Sequence, residues 1–295
     1  MRRSVGVIGL GIMGSAISAN LVRAGFATFG YDVLQARNKA LHRSGGIPLR
    51  SPAEVATHAP IVLTSIPSSA ALKDVACELS ATGKRGTIVV ETSTLPIEDK
   101  QRARDVLAVA GITLLDCPLS GTGAQAKTGD LSVYASGPRK AYRAATPVFE
   151  GFARSHYYLG AFGNGSKMKF VANLLVAIHN VSAAEAFVLG MKAGLPPGLI
   201  YKVAGDGAGT SRMFQVRGPM MVAGRYRKAT MRNSMWQKDM KIIGDFAARL
   251  GVPTPLFRAA DRVYAAAMKQ GFGAQDTAAV CAVLESMARI NRRNT

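Results

Sequence analysis

An apolar run that breaks into three glycines and resumes as a helix-forming segment fixes how this chain must begin. Val5-Gly-Val-Ile-Gly9 has the composition of a buried strand. Gly9-Leu10-Gly11-Ile12-Met13-Gly14 follows at once and leads into the helical Ser15-Ala-Ile-Ser-Ala-Asn-Leu-Val-Arg-Ala24. Each glycine meets a different steric demand: Gly9 a tight turn, Gly11 the close approach of a pyrophosphate to the backbone, Gly14 the packing of helix on strand. Free N–H groups at the helix start attract phosphate. A second strand, 27–31, ends in Asp32, 18 residues after Gly14. That is near the spacing at which a carboxylate takes the hydroxyl of an adenine ribose. Alone, three such glycines say little; between a strand and a helix, with the acid in place, they predict a dinucleotide-binding α/β unit.

The alternation continues. Pro60–Ile66 reads as a buried strand ending at Pro67, Gly86–Glu91 as one ending in Thr92-Ser93-Thr94, and Ile112–Asp116 as one ending in Cys117-Pro-Leu-Ser-Gly-Thr-Gly123. Small hydroxyl, proline and glycine residues thus gather where an open parallel sheet places its ligands. Later strands are expected at 131–136 and 155–159, with a helix at 139–150 between them. Gly163 and Gly165 then give a flexible lead-in, Ser166 is a plausible N-cap, and an apolar-periodic run continues without proline to Met191. At roughly 1.5 Å per residue such a helix is about 40 Å long, enough to serve two domains. Lys169 and Asn173 stand four apart on it and share a face. Beyond Ser166 no convincing strand occurs; helices are expected near 166–191, 197–204, 211–222, 233–250, 255–270 and 274–290. The predicted fold is α/β: an N-terminal Rossmann doubly wound sheet (1–162) plus an all-α C-terminal domain (163–295), joined by a long interdomain helix.

The 295 residues include 48% hydrophobic and 19% charged side chains, the profile of a compact globular protein. Cys77, Cys117 and Cys281 lie far apart, so a reducing compartment and no disulfide framework are expected. No metal site is expected, because His42, His58, His156 and His179 are scattered and no CxxC pair occurs. The basic, then apolar, start (Met1-Arg-Arg-Ser-Val) resembles a signal peptide, but its apolar run is short, glycine-broken and better suited to a strand. No run approaches the roughly 18 apolar residues of a membrane span, so a cytoplasmic protein with no membrane partner is expected. The formal net charge is +19, with 19 basic and 7 acidic residues in 161–295. Nucleic acid, anionic metabolites or solubility each accommodate that excess.

Together these motifs resemble the β-hydroxyacid dehydrogenase family over nearly the whole chain. The cofactor motif is residues 9–14; the substrate motif, usually D-x-P-x-S-G-G, stands as Asp116-Cys-Pro-Leu-Ser-Gly-Thr122. The catalytic motif, usually G-x-G-x-x-x-K-x-x-N-N, runs from Gly163 to Asn173, a Lys238-Asp239 pair follows, and Gly271-Phe-Gly-Ala-Gln-Asp276 lies near the end. Two departures are Thr122, where a glycine is usual, and Ala172, where the first asparagine is usual.

The resemblance implies an NAD(P)-dependent oxidoreductase that interconverts a small β-hydroxyacid and its semialdehyde or keto acid. Alcohol oxidation removes a hydride, which nicotinamide takes, and a proton, which a nearby base must accept. The resemblance assigns the proton to Lys169 and the orienting role to Asn173. It gives Ser120, with the backbone of Gly121 and Thr122, to the substrate. On the cofactor side Gly9, Gly11 and Gly14 form the phosphate turn, and Ile12 and Met13 supply amides. Asp32 binds the ribose, Pro67 and Thr94 line the path to nicotinamide, and Lys238 reaches the cofactor or closes the cleft. NAD is expected over NADP, with Arg37 as a base able to soften the preference. Homodimers or homotetramers are expected, as in the family. An imine reductase on this scaffold is an alternative that Lys169 argues against; a nucleic-acid-associated module is another, raised only by the charge. The acid-free stretch Arg212–Arg232, with Arg212, Arg217, Arg225, Arg227, Lys228 and Arg232, reads either as a solvated helix and loop or as a positive rim that draws an anionic substrate.

Overall fold

The computed structural model describes residues 3–82 and 84–292; Met1 and Arg2 of the basic start lie outside them. The chain divides into two compact units, Met1–Lys169 and Phe170–Thr295.

The first unit opens with β1 (Ser4–Ile8), α1 (Ile12–Arg23), β2 (Ala27–Tyr31), α2 (Gln35–Arg43), β3 (Ile47–Pro48) and α3 (Pro52–His58). It continues with β4 (Ile61–Thr64), α4 (Ser69–Thr82), β5 (Ile88–Glu91), α5 (Ile97–Val109) and β6 (Thr113–Asp116). These six strands form one sheet in the order β3-β2-β1-β4-β5-β6, every pair parallel. The order reverses between β1 and β4, which is where such sheets hold ligands. Both faces are covered. Val5, Val7, Leu63, Val90 and Leu115 pack against Ile17 and Leu21 of α1 on one side. Ile8, Val62, Val89 and Leu114 pack against Val55, Leu72, Leu79 and Leu107 on the other. Covered on two sides, the strands read as near-continuous apolar runs rather than alternating ones. The two-residue β3 ends in proline, and α2 buries only Asn38 and Leu41, so neither leaves an apolar rhythm to read.

A second sheet follows. β7 (Leu119–Ser120) pairs antiparallel with β8 (Ser132–Ala135), which pairs parallel with β9 (Ser155–Tyr158). Helices α6 (Gly123–Lys127) and α7 (Arg139–Glu150) lie between them in sequence. An isolated bridge between Asp116 and Ser136 ties this sheet to the end of β6.

The long helix α8 spans Asn164–Lys192. Two local expectations change here. Ser166 is not the N-cap but lies in the first turn, with its amide and hydroxyl both donated to Asp116. Gly165 is not a flexible lead-in: a Cβ there would stand 2.3 Å from the Tyr134 carbonyl oxygen and 2.6 Å from that of Asp116. Only glycine lets this turn lie against the backbone of β6 and β8. By length and composition α8 is also apolar enough to cross a membrane, with a mean hydropathy of 1.6, contrary to the expectation that no segment reaches that scale. Its Phe170, Ala177, Ala184, Phe187 and Met191 are buried within the protein.

The second unit is helical: the rest of α8, then α9 (Pro197–Asp206), α10 (Arg212–Ala223), α11 (Asn233–Arg249), α12 (Pro255–Lys269) and α13 (Val280–Met287). Aromatic pairs hold it together: Phe187 on Phe214 with centroids 5.3 Å apart, Phe214 on Tyr201 at 5.7 Å, and Phe170 edge-on to Phe246 at 5.1 Å. The helix expected over 274–290 is instead a pair of 3-10 turns, Phe272–Ala274 and Thr277–Ala279, before α13. The cause is Asp276. Its buried carboxylate accepts the amides of Thr230 (2.7 Å), Met231 (3.1 Å) and Ala278 (2.9 Å) and pairs with Arg217 at 3.4 Å. A carboxylate used this way bends its own backbone out of the helix. Arg217 is therefore an interior residue, 3% exposed, and leaves the positive rim proposed for residues 212–232.

Removing this carboxylate should deprive the Arg217 charge, three backbone amides and the Thr230 and Thr277 hydroxyls of their acceptor. Asp276→Ala is expected to destabilise the protein by about 3–5 kcal/mol, read from urea unfolding. Lys228→Ala, at an exposed position, should shift stability by less than about 0.5 kcal/mol. Equal effects would show that Asp276 organises nothing.

Candidate active site

The glycine turn is as tight as its sequence demands. Gly9 has φ +88°, and a Cβ on it would meet the Ser65 carbonyl oxygen at 2.3 Å. A Cβ on Gly14 would sit 1.9 Å from the Gly9 carbonyl oxygen, so α1 touches the strand end directly. At Gly11 a Cβ would meet nothing within 4 Å. Gly11 is also the N-cap of α1; no side chain caps it, and no acid lies in the first turn. Open space above uncapped amides at the positive end of a helix fits a pyrophosphate. Ile12 and Met13 carry those amides, and these residues fit the diphosphate of a dinucleotide.

Asp32 closes the turn from the side. Its Oδ2 accepts the Leu10 amide at 2.7 Å and its Oδ1 accepts the Leu34 amide at 2.8 Å. Arg37 reaches the same carboxylate at 3.1 Å, with its own side chain 44% exposed and that of Asp32 only 4%. Asn38 grips the Asp32 backbone from both sides, at 2.9 Å and 2.8 Å. Asp32 is thus at once part of the turn's scaffold and the acid expected at the ribose.

At the neighbouring strand ends, exposed Pro67 follows β4 and half-buried Thr94 follows β5. The Ser93 hydroxyl accepts the Ile66 amide at 2.9 Å, which couples the two ends. Below them lies a group that the sequence did not single out. The Lys100 ammonium has no exposed surface and meets Glu91 at 2.6 Å, Asp116 at 2.8 Å and the Ser93 carbonyl oxygen at 2.7 Å. Burial alone would depress this lysine; the Asp116 and Glu91 carboxylates outweigh it and raise the pKa above the ordinary lysine value.

Asp116 also roots the substrate motif. From it the chain runs through buried Cys117 to Ser120, whose half-buried hydroxyl makes no hydrogen bond among the described residues. Gly121 follows with φ +133°, a conformation that favours glycine. Thr122 caps α6 in a capping box: its amide donates to Gln125 Oε1 at 2.9 Å, and its hydroxyl to the same oxygen at 3.2 Å. The side chain that departs from the family pattern therefore has a local task. Gly123 lies so close to Ile12 that a Cβ would stand 2.5 Å from its methyl, which sets this loop against the phosphate turn.

Lys169 and Asn173 are both buried, 9% and 4% exposed, one turn apart on α8. Within the second unit Asn173 donates its amide to Asp239 at 3.0 Å, and half-exposed Lys238 lies 3.6 Å from the same carboxylate. Asp239 thus joins the candidate set as the partner of Asn173, a contact between residues 66 apart that no local pattern announces. Arg212, Arg225, Arg227, Lys228 and Arg232 are exposed. The three cysteines are free; Cys117 and Cys281 are buried, and burial pushes the Cys281 thiol up to about 12.

The chain is similar to known proteins over nearly its whole length. Residues 4–160 match the family model described as the NAD binding domain of 6-phosphogluconate dehydrogenase. Residues 163–284 match the family model described as NAD-binding of NADP-dependent 3-hydroxyisobutyrate dehydrogenase. L-threonate dehydrogenase of Cupriavidus necator is 35% identical over 287 residues, 95% of either chain. Among solved structures, 3-hydroxyisobutyrate dehydrogenase from Salmonella typhimurium superposes with a TM-score of 0.86 at 30% identity, covering 95% of this chain and 99% of that one. The Mycobacterium tuberculosis 3-hydroxyisobutyrate dehydrogenase with L-serine gives 0.87 at 26% identity, covering 96% and 99%.

The geometry around Asp32 makes cofactor choice testable. A buried carboxylate repels a 2′-phosphate, whereas Arg37 can turn from Asp32 to meet one. NAD should bind more tightly than NADP, and Arg37→Ala should weaken NADP by about tenfold while leaving NAD within about twofold. Dissociation constants from fluorescence titration check this; an NADP affinity indifferent to Arg37 removes that residue from cofactor selection.

Proposed function

Because the chain belongs to the β-hydroxyacid dehydrogenase family, we propose that its NAD(P)-dependent oxidation of a small hydroxyacid runs through Lys169 as general acid and base. The enzyme is an oxidoreductase of CH–OH donors and interconverts a hydroxyacid with its semialdehyde or keto acid. When bound, NAD(P) takes the hydride that leaves the carbinol carbon. The chain supplies the rest. The Lys169 amine accepts the hydroxyl proton during oxidation and returns it during reduction. Asn173, held by Asp239, orients the substrate oxygen. The unpartnered Ser120 hydroxyl and the Gly121 backbone hold the substrate carboxylate, and the Thr122 amide joins them on release from Gln125. Gly9, Gly11, Ile12, Met13, Gly14 and Asp32 hold the dinucleotide, with Pro67, Thr94 and Lys238 along its length.

One observation carries this reading. Asp116, the first residue of the loop that presents Ser120, receives both hydrogen bonds of Ser166, three residues before Lys169 on α8, at 2.8 Å each. The substrate loop and the lysine helix thus spring from a single carboxylate. We take residues 1–162 as the NAD(P)-binding domain and 163–295 as a substrate and oligomerisation domain, in a cytoplasmic homodimer or homotetramer. The substrate is a small anionic hydroxyacid of the L-threonate or 3-hydroxyisobutyrate kind, the kinds for which the relatives are named. A spectrophotometric screen of NADH formation over a panel of β-hydroxyacids led by these two tests it.

Lys169→Ala should lower kcat by at least about 100-fold with little change in NAD affinity; activity within threefold or so of the parent would remove Lys169 from the mechanism. The exposed Arg225 and Arg227 form, with their neighbours, a positive rim that draws an anionic substrate through space. Arg225→Glu with Arg227→Glu should raise KM for the hydroxyacid several-fold, change kcat little, and do less at high ionic strength. An unaltered KM at low salt makes the rim plain solvated surface, and a collapse of duplex DNA affinity in its place would favour a nucleic-acid role.

A further inference from the structure

We infer that Lys100 is a positioning residue for the reaction: its buried ammonium fixes Asp116 and, through Asp116, the turn of α8 that precedes Lys169. The inference rests on the reading of Lys169 given above.

Lys100 cannot touch substrate or cofactor, because none of its side chain is exposed. What it touches is the frame of the site. Its ammonium donates to the Ser93 carbonyl oxygen at 2.7 Å and to Asp116 at 2.8 Å, and it forms an ion pair with Glu91 at 2.6 Å. Asp116 in turn has four donors. Lys100 and the Ser166 hydroxyl share Oδ1, each at 2.8 Å. The Ser166 amide at 2.8 Å and the Ser136 hydroxyl at 3.2 Å share Oδ2. Ser136 also accepts the Gly165 amide at 2.9 Å. The hydrogen bonds of Gly165 and Ser166 in the first turn of α8 therefore run to Asp116 or its partner Ser136, while Asn164 separately donates to the Leu159 carbonyl oxygen at 2.8 Å. Of the four donors to Asp116, only Lys100 carries a charge.

The cluster also makes little sense as a source of stability. Two carboxylates and one ammonium without exposed surface are costly to desolvate, and apolar side chains of similar volume generally serve a core as well or better. Its value is directional. A charge-assisted hydrogen bond is shorter and stronger than a neutral one, so the ammonium holds the plane of the Asp116 carboxylate. That plane aims both acceptors at Ser166. Lys169 lies three residues on, about 4.5 Å along the axis at 1.5 Å per residue. A rotation of the carboxylate reaches the amine with little loss, and a misplacement of about 1 Å costs on the order of 100-fold in rate.

The test uses Lys100→Met combined with Glu91→Gln, which removes the ammonium and one carboxylate together and leaves the pocket with its original net charge. Lys100→Met alone and Lys169→Ala are run beside it. The double variant should fold and melt near the parent temperature. Its kcat should fall between about 10- and 100-fold, with KM for the hydroxyacid and the NADH dissociation constant within about twofold. Amide hydrogens of residues 164–168 should exchange at least about tenfold faster, while those beyond Val171 keep the parent rate. A double variant whose kcat stays within about twofold of the parent, whose first-turn exchange is unchanged, or which does not fold overturns the inference, the last because Lys100 is then only structural. If Lys169→Ala stays active, the reading of Lys169 is what falls, and exchange at 164–168 still decides whether Lys100 holds the helix.

Discussion

A lysine ammonium with no access to water holds together the end of the sheet on which this enzyme works. Lys100 brings Glu91 at the end of β5 and Asp116 at the end of β6 to within 2.8 Å of one nitrogen, and takes the Ser93 carbonyl oxygen as well. The carboxyl-terminal ends of parallel strands lie side by side, so carboxylate side chains gathered there, such as Glu91 and Asp116, repel one another. One buried cation between two anions solves that locally, and the remaining negative charge faces the first turn of α8, where unpaired amides carry partial positive charge. Asp116 takes the Ser166 amide as a cap would, from a position 50 residues away in sequence, and its partner Ser136 takes the Gly165 amide.

The phosphate turn is built on the opposite principle. Charge is absent from the first turn of α1, no side chain caps it, and Gly11 leaves open space. The same helix-start chemistry is satisfied internally at α8 and left available at α1. The difference between the two helices is therefore a difference in what meets the amides: a protein carboxylate in one case, and in the other open space that fits a phosphate. Asp32 connects the two strategies, since its carboxylate braces the Leu10 and Leu34 amides while keeping an anion beside the turn.

Much of this could be read in the sequence because it is local. Strand, glycine turn, helix and acid follow one another within residues 5–32, and the strands between 60 and 116 announce themselves as apolar runs ending in small residues. Helix 164–192 was visible from its period and the absence of proline. What could not be read is long-range. Lys100 looks like any helix lysine until β5 and β6 lie beside it, and Ser166 looks like a cap until Asp116 takes both its donors. Arg217 counts as surface charge until Asp276 folds back onto it from residue 276. Thr122 looks like an anomaly in a substrate motif until Gln125 closes the capping box. In each case a polar side chain has two possible readings, and only its partner, brought in by the fold, selects one.

Charge follows the same logic. Of the seven acids in residues 161–295, Asp239, Asp276 and Glu285 are buried, and each stands beside a cation: Lys238, Arg217 and Arg292. Such pairs remove one charge of each sign, so the excess of basic over acidic residues in this half belongs to the remaining surface. The range over which that surface acts is set by salt. At physiological ionic strength the screening length is about 8 Å, so a net charge of +19 is not felt as a whole by an approaching molecule. A small anion senses only the few cations within that distance, whereas a duplex would need them aligned along many phosphates. The five exposed cations of residues 212–232 are concentrated in sequence, with Arg225, Arg227, Lys228 and Arg232 in and beside one loop. A few neighbouring cations of this kind suffice for a carboxylate with one or two charges.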